Sequence, residues 1–292
     1  MKENLKNNPE FVFFGGSSFS VYVLDELKKN GYTPKLIVTT EDKPKGRKLT
    51  LTPPEAKVWA INEGVTYIQL KTLRNIEAEN QIKSFSDKGF DLFIVASYGK
   101  IIPQSILDMP KFKTLNVHPS LLPKLRGPSP LQFSILEEDE TGVSIIELDS
   151  EVDHGPILAQ EKINIEWPPY FEDLEKLCGE VGGRMLSNII PKWVNGEIEA
   201  VTQDHSLATF CKKIEKADAE IDLAGNSEIN LRKIRSFSHW PGAYFFEESD
   251  GVKKRIIIKK AKISDGKLVL ERIIPEGKKE MSYDDYLRGK RK

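Results

Sequence analysis

At 292 residues, 39% of them apolar and 30% charged, the chain is long enough for two domains with separate cores, and its composition is neither that of a disordered segment nor that of a membrane protein. The longest apolar runs, "FVFF", "LFIVA" and "RIIIKK", fall far short of the roughly 20 residues that span a bilayer, and the start "MKENLKNNPE" has no apolar core to direct export. The formal net charge of −1 argues against a nucleic-acid partner but hides an asymmetry: residues 206–292 carry 20 basic against 14 acidic side chains, +6, and residues 1–205 carry 23 against 30, −7, which marks the carboxyl-terminal part as a polyanion-facing module.

In chain order, "FVFFGG" is a strand ended by glycines, and "FSVYVLDELKKNG" repeats apolar residues at helical spacing up to a Gly stop. "KLIVTT" is a second strand, "TPPEAKVWAINEG" a helix opened by prolines, and "VTYIQL" a third strand. "DLFIVAS" and "TLNVH" are continuous apolar runs of strand length, and "PLQFSILEED" fits a helix. This alternation predicts a Rossmann-like α/β domain, an open, mostly parallel sheet with helices on both faces. "GVSIIELDS" and "PILAQEKI" read as two further strands joined by the turn "EVDHG", and the long helix "EDLEKLCGEVGGRMLSNIIPKWVNG" closes the domain. Around "GEIEAVTQDHSLAT" the pattern weakens. The expected division is a first domain over 1–190, a linker over 191–205 and a second domain over 206–292. The second has a helix, "INLRKIRSFS", and short strands, "GAYFFE", "KRIIIKKAKI" and "KLVLERIIP", spaced as in a small OB-like β-barrel. Cys178 and Cys211, the only cysteines, stand in no motif and read as small buried residues in a reducing cytoplasm.

Ligands of open α/β sheets bind beyond the carboxyl ends of the strands, and "NVH" lies at such an end. Side chains alternate along a strand, so Asn116 and His118 face one way, Leu115 and Val117 the other, and the two polar groups can converge on one ligand atom. Pro119 ends the strand, and "SLLPKLRGPSP" becomes a stiff loop whose backbone groups are free to meet a planar heterocycle. The turn "ELDSEVDHG" carries Asp149, Glu151, Asp153 and His154, and a carboxylate from it could orient His118; spacing alone does not choose which. "FFGGSSFS" lacks the third glycine of a dinucleotide fingerprint and is a tight strand-to-helix turn. His118, Asp153 and His154 do not have the spacing of a known metal site, and no metal is expected. His205 and His239 have no visible partner and receive no role.

Blocks along nearly the whole chain, "FVFFGGSSFSVYVLDEL", "EDKPKGRKLTLTPPEAKVWA", "VASYGKIIP", "NVHPSLLPKLRGPSPLQFSILEEDETGVSIIELDSEVDHGPILAQ", "AEIDL…LRKIRSFSHWPGAYFF" and "PEGKKEMSYDDYLRG", resemble, in this order, the methionyl-tRNA formyltransferase family. The central block is shared with other 10-formyltetrahydrofolate transferases, and the last two are more specific to the tRNA enzymes. The resemblance implies a cytoplasmic, monomeric enzyme, with no membrane contact, that moves a formyl group from 10-formyltetrahydrofolate to the α-amine of initiator methionyl-tRNA. It implies that Asn116, His118 and Asp153 are the catalytic trio, and that Ser120, Leu121, Leu122 and Pro123 form the folate-binding turn. It implies further that Arg47 contacts tRNA, with Lys43, Lys45 and Lys48 on phosphates, and that the basic carboxyl-terminal domain holds the tRNA body. The chain departs from the family at His154, where a small residue is common, in "KLRGPSP", which replaces a more basic, alanine-containing version, and after Arg47, where paired lysines are usual. It also stops soon after "LRG", so the barrel is expected to lack a final element.

Overall fold

Apolar runs without polar alternation belong to strands covered on both faces, the condition of a parallel sheet inside an α/β layer. The computed structural model describes residues 8–46, 49–249 and 251–290, and it arranges the chain in two compact units. In the first, β1 (Phe11–Gly15) leads into α1 (Ser18–Lys29) and β2 (Leu36–Thr39). A short antiparallel hairpin follows, β3 (Lys43–Lys45) with β4 (Thr50–Thr52), then α2 (Glu55–Glu63), β5 (Tyr67–Gln69), α3 (Ile76–Lys83), β6 (Leu92–Ala96), α4 (Gln104–Leu107) and β7 (Thr114–His118). After α5 (Pro130–Glu137), which belongs to the second unit except for its first residue, come the hairpin β8 (Thr141–Glu147) and β9 (Ile157–Ile163) and the long helix α6 (Phe171–Val194), which is part of the first unit from Glu175 on. No helix among the described residues is long and apolar enough to cross a membrane.

Seven strands form one sheet in the order β5-β2-β1-β6-β7-β8-β9. The first five are parallel, and β8 and β9 run antiparallel at the edge. The order reverses between β1 and β6, next to β7, which puts the carboxyl end of β7 beside the crevice where such sheets take ligands. Val12, Phe14, Val38, Phe93 and Val95 pack on one face against Ile82 of α3 and Ile106 of α4. The other face meets α1 and α6. Three glycines on one side of α6 allow that approach: a Cβ on Gly182 would stand 2.4 Å from Cγ1 of Val117, and one on Gly179 or Gly183 would stand 2.5 Å from Cβ of Tyr22 or Glu26 on α1.

The second unit gathers residues 131–140, 164–174 and 211–292. It contains α7 (Ser227–Ser236) and an antiparallel sheet of β10 (Tyr244–Ser249), β11 (Val252–Ser264), β12 (Lys267–Pro275) and β13 (Met281–Ser282), followed by α8 (Tyr283–Lys290). Asn226 caps α7 by accepting from the amides of Glu228 and Ile229. Arg232 of α7 donates to the carbonyls of Ile135 and Glu138, the unsatisfied end of α5, and pairs with Asp139. Arg235 donates to the carbonyl of Pro168, and the Ser238 hydroxyl to Glu172 at 2.5 Å. These bonds explain why two early segments belong to this unit.

The linear division read from the sequence differs from this arrangement. Residues 191–205 are part of the first unit, which runs on to Phe210, because Val201 bridges Ile157 and Phe210 bridges Arg126. The short elements α3, α4, the β3/β4 hairpin and the β13–α8 tail have no counterpart in the sequence reading. The α4 helix has a single turn, and β3 contains a proline, so neither shows a usable period. In a free helix Gly→Ala is worth about 1 kcal/mol of stabilisation. In Gly183→Ala the new methyl would lie 2.7 Å from the carbonyl oxygen of Val23, so this variant should instead be destabilised by about 1–3 kcal/mol, read as a lower urea midpoint.

Candidate active site

The carboxyl end of β7 brings two polar side chains to one face of a buried strand: Asn116 is 8% exposed and His118 4%. Opposite them in register stand Ile146 and Ser144 of β8. The β8/β9 hairpin then delivers Asp153 from its turn. Only glycine fits at 155, where a Cβ would lie 1.8 Å from the carbonyl oxygen of Glu147, and the turn closes through a bond from the Glu147 amide to the Pro156 carbonyl. Of the acidic residues in that turn, Asp153 is the one at His118. Its Oδ1 lies 3.4 Å from Nδ1 of His118 and accepts from Nδ2 of Asn116 at 3.3 Å, and its Oδ2 accepts from the Gly127 amide at 2.9 Å. Asp149 instead accepts from Nδ1 of His154 at 2.7 Å, and its Oδ1 accepts from the Glu151 amide.

His118 is held from both sides. Nε2 lies 3.0 Å from the carbonyl oxygen of Leu125, and Nδ1 faces Asp153. A neutral imidazole donates from one nitrogen only, so acceptors facing both nitrogens favour the doubly protonated ring. Burial disfavours that charge, but the charge and close approach of Asp153 and the Leu125 carbonyl outweigh burial and Arg126, and the pKa of His118 is raised. Burial likewise disfavours the Asp153 carboxylate, while His118, the Gly127 amide and Arg126 outweigh it and hold its pKa below the usual value. Leu125 and Asp153, the two residues that contact the ring, both have left-handed backbone angles, φ 59° and 49°, which non-glycine residues adopt only where the surroundings enforce them.

The turn 120–123 follows directly. The sequence reading leaves its backbone groups free for a ligand, and the structure corrects this for the Ser120 carbonyl and for the amide and carbonyl of Leu122. The Ser144 hydroxyl accepts from the Leu122 amide and donates to the Ser120 carbonyl. Gln160 donates to the Leu122 carbonyl, and Ser120 Oγ to the Lys124 carbonyl at 2.6 Å. What the turn presents is therefore a pinned apolar surface, with Leu121 set against Gly142, where a Cβ would lie 2.4 Å from its Cδ2. Among the residues expected to touch tRNA, Lys43 is exposed on β3 and Lys45 lies at the end of that strand. Arg47 and Lys48 lie outside the described residues. The sequence reading misses His205, whose ring stacks on His154 at 4.0 Å, and it misses Arg126 and Gln203, which share a hydrogen bond behind Asp153. The Cys-poor, His-poor composition hides such partners because each is a single polar residue without a repeat.

The pair sets a pH window. The folded pKa of His118 is raised, so its contribution to stability is fully present below about pH 6.5 and is lost as pH rises through the folded value. The folded pKa of Asp153 is lowered, so its contribution is present above about pH 4 and is lost as pH falls through the folded value. Asp153→Asn keeps the shape and removes the charge. As pH rises from about 6.5 through the folded value of His118, the urea midpoint of the wild type should fall relative to that of this variant; parallel curves would contradict the charged pair.

Comparison with known proteins follows the same lines. Residues 10–190 match the family model described as "Formyl transferase". Methionyl-tRNA formyltransferase of Chloroflexus aggregans is 39% identical over 240 residues, covering 80% of this chain and 75% of that protein, and the one from Bacillus licheniformis is 32% identical over 300 residues, covering 95% and 94%. Among solved structures, methionyl-tRNA formyltransferase from Clostridium thermocellum superposes with a TM-score of 0.60 at 18% identity, covering 92% of this chain and 98% of that one. A 4-N formyltransferase from Francisella tularensis gives 0.64 at 18%, covering 87% and 99%; both likenesses speak to the fold. With a family model over more than half of its length and relatives above 30% identity over nearly all of it, the chain belongs to the formyl transferase family and stands among its methionyl-tRNA formyltransferases.

Proposed function

We propose that the chain transfers the formyl group of 10-formyltetrahydrofolate to the α-amine of initiator methionyl-tRNA, in the cytoplasm and as a monomer, with Asn116, His118 and Asp153 as the reacting groups. The observation that carries the reading is the convergence of two donors and one carboxylate at the carboxyl end of β7. The amine attacks the formyl carbon as free base, and α-amines titrate near pH 8, so little base strength is needed. Asn116 has a second amide N–H beyond the one on Asp153, and His118 Nε2–H, held by the neutral Leu125 carbonyl, turns to the stronger acceptor as the formyl oxygen becomes an oxyanion. Each such donor is worth about 2.7–4 kcal/mol. The Asp153 carboxylate takes up the proton that the amine sheds, and the His118–Asp153 pair returns one to N10 as the carbon–N10 bond breaks. Leu121, Leu122 and Pro123, fixed through Ser120, Ser144 and Gln160, form the apolar wall for the pterin.

The second unit is read as the tRNA holder, its sheet as an OB-like barrel. The 13-residue β11, with register irregularities near Lys260, pairs with β10 and then β12, as a strand does where a barrel turns its corner. Arg47 enters the acceptor end, with Lys43, Lys45 and Lys48 on its phosphates.

One set of assays tests both parts. Asn116→Ala, His118→Ala and Asp153→Ala should each bind folate and lower turnover at least about 100-fold, and a variant with near-wild-type turnover leaves the mechanism. Arg47→Ala should lose about 1–3 kcal/mol of transfer efficiency with methionyl-tRNA while folate affinity is unchanged, and Arg47→Lys should recover only part of it. Equal transfer by both Arg47 variants would return a small amine acceptor to consideration.

A further inference from the structure

A second buried cluster lies behind the trio, and the proposed reaction does not use it. Arg126, 4% exposed, directs Nε and Nη2 at Oε1 of Gln203, at 3.2 and 2.6 Å, and Nη2 also donates to Nδ1 of His205 at 2.9 Å. Gln203 is 5% exposed and uses its amide nitrogen in the opposite direction. Nε2 donates to the backbone carbonyls of Asp153 at 2.9 Å and of Gly155 at 2.7 Å. One side chain thus ties the two residues that flank His154. On the outer side, His205 stacks parallel to His154, and His154 bonds Asp149.

The arrangement has a direction. Gly127, next to Arg126 in the chain, holds the carboxylate of Asp153 through its amide, and Arg126, through Gln203, holds the backbone of the same residue. Asp153 has φ 49°, so its carboxylate stays where it is only while its backbone is prevented from relaxing. The guanidinium can only donate and the glutamine oxygen only accept, which fixes the orientation of the amide and leaves its N–H groups for the two carbonyls. A buried polar network completed in this way specifies one geometry.

We infer that Arg126 and Gln203 are positioning residues for the proposed reaction: their clamp on the carbonyls of Asp153 and Gly155 sets the 3.4 Å approach of the Asp153 carboxylate to His118. The kinetic consequence rests on the function proposed above. The effect on His118 does not.

The full chain is tested with two substitutions. Gln203→Met fills the same space without the amide, and Gln203→Asn keeps the amide but shortens its reach by one methylene. The titration of His118 is followed by NMR, and formyl transfer by steady-state kinetics. In Gln203→Met the His118 midpoint drops toward the ordinary histidine value, and turnover falls about 10- to 100-fold while KM for folate and for tRNA stays within about threefold. Gln203→Asn moves the midpoint in the same direction by less. Arg126→Lys also lowers turnover, because the charge returns without the fork that orients the amide. If Gln203→Met does not fold, Gln203→Asn decides. A His118 titration identical to wild type in a folded variant, with only the melting temperature reduced, overturns the inference and leaves Gln203 a packing group. Absence of formyl transfer by the wild type would overturn the reaction, and the NMR comparison would still decide the clamp.

Discussion

The site depends on one carboxylate. Asp153 accepts from Asn116 and Gly127, faces the ring of His118, and has its own carbonyl held by Gln203, so separate segments of chain meet at a single residue. A buried carboxylate is costly unless it is paired and hydrogen-bonded, and each of these contacts offsets part of that cost. The same charge raises the pKa of His118. Without it, burial would press a ring 4% exposed toward the neutral form, with its Nε2–H on a carbonyl and Nδ1 left as a bare acceptor. Orientation and protonation of the imidazole therefore have one origin.

The fold explains how so distant a residue reaches the strand end. The five parallel strands bury both faces and fix β7, and α6 approaches that strand closely because its glycines permit it. The antiparallel β8/β9 hairpin at the sheet edge is the element free to carry a turn past the end of β7, which a parallel strand with a crossover helix could not do in so few residues. Gly155 tightens that turn and the left-handed Asp153 aims it. Ser144 of β8 and Gln160 of β9 meanwhile pin the 120–123 turn, so the hairpin positions the carboxylate and the apolar wall together.

How much of this is legible in the sequence differs from residue to residue. "FVFF", "LFIVA" and "TLNVH" read as buried strands because a parallel sheet leaves no polar alternation, and they form β1, β6 and β7. Asn116 and His118 read as one face because strand geometry has a period of two, and the β8/β9 hairpin is visible as two strands around a turn. Among Asp149, Glu151 and Asp153, spacing cannot choose, since the decision lies in backbone angles and in a glycine contact with the opposite strand. Gln203 is 50 residues from Asp153, inside a stretch of weak pattern, and one long-range side-chain bond leaves no period to detect. For the same reason the recruitment of residues 131–140 and 164–174 into the second unit, through Arg232 and Arg235, is hidden.

The protonation state of His118 tests the charged pair most directly. With both ring nitrogens labelled with nitrogen-15, the protein at about pH 6, below the ordinary histidine value, should show both as protonated, and Asp153→Asn should show one protonated nitrogen, that on the Leu125 carbonyl, and one bare. A wild-type ring that is neutral at about pH 6, with the same spectrum in Asp153→Asn, would contradict both the pair and the dependence of the imidazole on Asp153.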